Sequence, residues 1–123
     1  MPTGLIFAKY DVRGGLEIKA KFPEIISKFS DKTSMQVLNL HGFTKQAGIA
    51  SLKLEDINFI TYYSGSDTDY FLILMLNTHE DPEDYEEVFE KVSIKILKNL
   101  EDNKYIKLIP TLYKQILESN LAE

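Results

Sequence analysis

The chain has no cysteine and no tryptophan. Without a thiol there is no disulfide, no thiolate zinc site and no cysteine nucleophile. Arginine is almost missing too: Arg13 stands alone beside thirteen lysines, and the net charge is −5. Nucleic-acid readers rely on a basic face and on the forked guanidinium, so no nucleic-acid partner is expected. Long apolar runs are lacking as well. The richest, Phe71 to Leu76, holds six residues, against the roughly 20 that a bilayer-spanning helix needs. The opening Met1-Pro2-Thr3-Gly4 has neither the basic start nor the cleavage site of a secretory signal. A cytoplasmic protein without a membrane span is therefore the expectation. There is no internal repeat and no low-complexity linker. What remains, 123 residues with 44% apolar and 27% charged side chains, fits one globular domain over 1–123 with a single core.

Catalytic patterns are missing in the same way. Gly14-Gly15 lacks the spacing and the Lys-Ser/Thr pair of a phosphate loop, so the chain should not bind or hydrolyse GTP itself. No Gly-x-Ser-x-Gly elbow occurs. His41 and His79 do not have the spacing that sets two ligands on one helical face. His79-Glu80-Asp81 reads instead as helix-capping chemistry, and Asp67-Thr68-Asp69 as a solvated turn. No catalytic residue, metal or cofactor is expected.

The elements that are there follow closely on one another. Leu5-Ile6-Phe7-Ala8 is the heart of an apolar strand over 4–12, and Arg13-Gly14-Gly15 supplies a turn. Leu16, Ile18, Ala20 and Phe22 then alternate with Glu17, Lys19 and Lys21, the pattern of a strand with one buried and one wet face. Pro23 ends it. Residues 24–30 read either as a helical turn or as an extended lead-in. Ser30 or Asp31 caps a helix over 31–43, with Met35 and Leu38 on its apolar face and Val37, Leu40 and Phe43 as further candidates. Two strands, 49–54 and 57–63, follow, and the central strand over 69–78, built on the apolar run Phe71–Leu76, comes next. Tyr62, Tyr63 and Tyr70 are expected partly exposed near it. Asp81 and Pro82 then open the clearest helix, whose apolar period runs Tyr85, Val88, Phe89, Val92, Ile96 and Leu100. Asp102-Asn103 breaks it, and a last helix presents Ile109, Leu112, Tyr113 and Ile116 on one face. Pro110 should lie in its first turn or kink it.

The order is β-β-α-β-β-β-α-α. The first and fifth strands are apolar throughout and belong in the middle; the second and third carry outward lysines, as edges do. An antiparallel sheet in the order 2-1-5-4-3 follows. The first helix covers one face and the last two cover the other, an α+β fold of three layers, α/β/α.

This pattern resembles the longin domain, within the wider longin/roadblock/profilin-like group. The resemblance rests on the Gly4-Leu5-Ile6-Phe7-Ala8 strand, the glycine-turn hairpin, the Asp69–Leu76 strand, Asp81-Pro82-Glu83-Asp84-Tyr85-Glu86-Glu87 and the late Leu108–Tyr113 helix. It covers nearly the whole chain and is one of topology, not of a diagnostic motif. The resemblance implies a non-enzymatic interaction platform for a small GTPase or a sister longin or roadblock subunit, in GTPase regulation or vesicle trafficking, as a homo- or heterodimer. With no heptad segment or anchor expected after the domain, it looks like a stand-alone longin; the lysine-rich, cysteine-free composition hints at an archaeal source. The physical handle is the edge strands, whose unpaired N–H and C=O groups invite pairing. Ile49, Ser51 and Lys53 are expected at such a contact, with His41 and Phe43 beside it and residues 24–29 as a flap. The alternative is a PAS- or profilin-like small-molecule or protein sensor, which requires a cavity with converging polar groups. A small hydrolase or transferase is a third reading, for which no nucleophile–base pair is visible.

Overall fold

The computed structural model describes residues 2–11, 13, 15–23, 29–41 and 46–121. Phe43, Gly14, Gly42 and residues 24–28 of the expected flap lie outside the described residues.

Five strands form one antiparallel sheet: β1 (Gly4–Asp11), β2 (Gly15–Phe22), β3 (Gly48–Lys53), β4 (Asn58–Tyr63) and β5 (Tyr70–Met75), in the order 2-1-5-4-3. The helices are α1 (Asp31–His41), α2 (Glu86–Leu97) and α3 (Lys104–Leu121), and a 3-10 turn, Pro82–Tyr85, precedes α2. The fold is the expected α+β sheet with helices on both faces. The central pair explains why. Leu5, Ile6, Ala8, Leu72, Ile73 and Leu74 are all fully buried, and each such leucine or isoleucine contributes about 1.5–3 kcal/mol relative to leaving it in water. Residues of alternating parity in β1 and β5 feed two separate cores. Leu5, Phe7, Leu72 and Leu74 pack with Phe89, Ile96, Ile109 and Ile116 of α2 and α3. Ile6, Phe71 and Ile73 pack with Phe59 and with Val37 of α1.

Three local expectations are corrected. First, β2 does not present one apolar face. Phe7 pairs with Ala20 but Ala8 pairs with Ile18, so Lys19 is an extra residue, a β-bulge. The bulge exchanges the faces: Ala20 and Phe22 join the α2–α3 core, while Leu16 joins the α1 core. Ile18 is left 42% exposed. Second, α1 buries Thr33, Val37 and His41, one residue per turn, and leaves Met35 57% exposed. Hydropathy ranks Thr33 and His41 below Met35, the reverse of their burial. It misleads because the buried polar side chains bring their own partners: the Thr33 hydroxyl lies 3.4 Å from Ser30 Oγ, and His41 is hydrogen-bonded to Thr61. Third, of the two readings of Pro110 the first-turn placement falls, since it sits inside α3, past that turn. The N–H it lacks would have reached the Ile106 carbonyl, on a face open to water where the Ile106 side chain is 49% exposed.

The start of α2 follows its sequence closely. Pro82 is the first residue of the 3-10 turn, and Asp81 Oδ1 accepts the Glu83 N–H at 3.1 Å. At its far end, Asp102 and Asn103 take left-handed φ values of 56° and 57° and turn the chain into α3. Among the described residues no helix is long and apolar enough to cross a membrane.

Candidate functional site

The rim of β3 is an open edge of the sheet among the described residues. Which of its backbone groups face outward follows from the hydrogen-bond alternation of an antiparallel ladder, in which every second residue turns its N–H and C=O to a given neighbour. The Leu54 N–H donates to the Ile57 carbonyl at 2.7 Å, and Leu54 sits across from Ile57 just beyond the Lys53–Asn58 pair. Stepping back by twos, Leu52, Ala50 and Gly48 also bond inward, to Phe59, Thr61 and Tyr63. The other flank of β4 agrees with this phase: the Leu76 N–H donates to Asn58 and the Ser64 N–H to Tyr70, both at 2.9 Å. Ile49, Ser51 and Lys53 therefore turn their backbone groups outward. These are the three residues that the sequence marks for an edge contact. Among the described residues, no strand lies beyond them.

Side chains make this rim amphipathic. Ser51 and Lys53 are exposed. Ile49 is half-buried and packs against the α2–α3 core beside Tyr62. The outer row combines one apolar contact, one hydroxyl and one charge, with Lys53 the only ionic group on the strand.

His41 is placed in the interior, 5% exposed, and does not reach the rim surface. It hydrogen-bonds Thr61, whose hydroxyl also donates to the Ala50 carbonyl at 3.4 Å. Its ring lies 5.5 Å from Tyr63 and 5.6 Å from Phe71. Burial holds the imidazole below its ordinary pKa, in the neutral form. The network continues through Tyr63, which is buried, contrary to the partial exposure expected for it. Its hydroxyl donates to Asp69 Oδ1 at 2.6 Å. Burial first, then the Asp69 carboxylate, pushes the phenol up to about 12. His41 thus braces the inner side of β3 and β4, and Asp69 holds a tyrosine in place.

The acidic segment before α2 is likewise occupied internally. The Glu80 carboxylate accepts the Asn77 N–H at 2.8 Å and the Tyr85 hydroxyl. Asn58 Nδ2 donates to the Asn77 and Glu80 carbonyls at 2.8 and 2.7 Å, tying this loop to β4. Among the described residues, no group of three or more His, Asp or Glu side chains is arranged to hold a metal.

Clefts among the described residues include two on the surface. One, about 290 Å³, lies between Ser30, Lys32 and Gln36 at the start of α1 (Ser30 just before it) and the β3–β4 turn at Asp56. The other, about 220 Å³, is lined by Phe7, Lys19, Tyr70, Leu100, Asn103 and Tyr105. Sequence reasoning missed the second. Its one visible trace was the Asp102-Asn103 helix breaker, because the bulge that brings Lys19 there leaves no mark in the alternation.

No protein-family model matches the chain, and no curated protein sequence matches it.

Proposed function

We propose that this protein is a non-enzymatic interaction module that recruits its partner through the outer rim of β3. The observation that carries this reading is the row of outward backbone groups at Ile49, Ser51 and Lys53, unpaired by any described strand. An incoming strand adds main-chain hydrogen bonds there, and the half-buried Ile49 supplies an apolar anchor. The resemblance to longin domains suggests the partner class: a small GTPase or a sister longin or roadblock subunit, in GTPase regulation or trafficking assemblies of the cytoplasm.

The rim suits a second copy as well. Antiparallel pairing about Ser51 sets Ser51 against its counterpart and Lys53 against Ile49, so no like charges face each other. The test is light scattering after size exclusion, on the chain alone and mixed with nucleotide-loaded small GTPases from the same cell. A complex lost in Ser51→Pro supports the reading. That proline removes an outward N–H and leaves the β4 ladder intact. A strict monomer that binds no GTPase, or a complex indifferent to Ser51→Pro, overturns it.

A further inference from the structure

We propose that the cleft between the β2 bulge and the α2–α3 turn binds a small oxyanion, the carboxylate or phosphate group of a small molecule. This site is independent of the β3 rim and lies toward the opposite edge of the sheet.

Three observations converge on it. The first is a rigid aromatic frame around a space of about 220 Å³. The Phe7 ring stacks on Tyr70 at 5.1 Å and meets Tyr105 edge-on at 4.9 Å. Packed rings on a central strand hold their polar tips in fixed positions. The second is a set of polar groups with spare hydrogen-bonding capacity. The hydroxyls of Tyr70 and Tyr105 and the Asn103 amide make no hydrogen bond to any described residue, and Lys19 makes only an ion pair with Glu17 at 3.2 Å. Four side chains able to donate thus line one small space. Positive charge is reinforced by Lys9, whose ammonium lies 5.3 Å from the Tyr70 ring centre. The third is backbone irregularity on both walls. Lys19 is the unpaired residue of the bulge, and Asp102 and Asn103 both sit at left-handed φ. Bulges re-aim side chains, and left-handed non-glycine residues carry a free-energy cost that the surrounding structure must offset.

The chemistry favours an anion. Donors outnumber obligate acceptors, and a carboxylate or phosphate accepts several charge-assisted bonds at once. Glu17 already occupies Lys19, so it competes with the ligand. That competition gives a test in which one substitution weakens binding and another strengthens it.

The experiment titrates the isotope-labelled chain with inorganic phosphate in one arm and acetate in the other, at constant ionic strength against chloride. Amide shifts are read residue by residue. Saturable shifts confined to Lys19, Asn103 and Tyr105 are expected in at least one arm, and which arm saturates identifies the anion class. Lys19→Gln should raise Kd about tenfold, the loss of one charge-assisted bond, and Glu17→Gln should lower it. Asn103→Gly, which accommodates the left-handed backbone, should weaken binding without unfolding the chain. Lys91→Gln, on the exposed face of α2, should change nothing. Shifts that fail to saturate in both arms, that spread over the surface lysines, or that persist undiminished in Lys19→Gln overturn the proposal.

Discussion

Deleting Lys19 should leave the protein folded and nearly as stable as before. Most single deletions inside a strand shift the register and send every following side chain to the wrong face. Here the opposite follows from the bulge. Ala8 pairs with Ile18 and Phe7 with Ala20, so the residues on either side of Lys19 already occupy consecutive places along β1. Without Lys19 the ladder becomes regular, Leu16 stays on the α1 side, and Ala20 and Phe22 stay on the α2–α3 side. The interaction lost is the Lys19–Glu17 pair, with side chains 34% and 57% exposed. Pairs this exposed contribute roughly 0–1 kcal/mol. The net change should therefore stay within about 1 kcal/mol, read as a small shift in urea midpoint at unchanged slope. If all four apolar residues of β2 shared one face, the deletion would expel two of them from a core, a loss of about 3 kcal/mol or more. A loss of that size would refute the face exchange.

His41, buried and neutral, makes stability depend on acid. The unfolded chain protonates this imidazole near its ordinary value of 6.5 while the folded chain holds it lower, so the contribution is complete above that pH and drains away as pH falls. The wild type should lose up to about 1.4 kcal/mol more per pH unit below 6.5 than His41→Gln, by urea unfolding at matched pH; parallel curves would contradict this. At the alkaline end, Tyr63 at about 12 and the raised Tyr85 and Tyr113 favour the folded state below pH 10, and that preference fades as pH rises. Near-ultraviolet titration should show these phenols ionising together with unfolding, whereas smooth ionisation near pH 10 in a folded chain would count against it. Leu74→Ala, at a fully buried position of β5, should cost about 2–5 kcal/mol. Ile94→Ala, at a site 36% exposed, should cost far less by the same assay.

Much of the fold is legible in the sequence because the deciding signals are redundant. Two strands with apolar runs, Leu5–Ala8 and Phe71–Met75, fix the centre of the sheet, and the alternating lysines of the second strand mark an edge. Asp81, Pro82 and the period from Tyr85 to Ile96 place α2 with little ambiguity. The failures share a cause, since each depends on a spatial contact that hydropathy does not encode. Thr33 and His41 are buried because Ser30 and Thr61 receive them, and hydropathy cannot see a hydrogen-bond partner. The Lys19 bulge leaves the alternation of β2 unchanged in the sequence while exchanging its faces in space. Of the candidate contact residues, Ile49, Ser51 and Lys53 share the outward backbone phase of an edge strand, whereas the interior position of His41 was not readable. The aromatic cleft was invisible because Phe7, Lys19, Tyr70 and Tyr105 come from four separate elements.

Residue-resolved amide exchange along β3 tests the open rim most directly. In the dilute chain the N–H groups of Ile49, Ser51 and Lys53 should exchange rapidly, while those of Ala50 and Leu52, bonded to β4, stay protected. Raising the concentration or adding a nucleotide-loaded small GTPase should slow the first three and leave the other two unchanged. Protection of Ile49, Ser51 and Lys53 in the dilute monomer, or rapid exchange that no partner alters, would contradict the account.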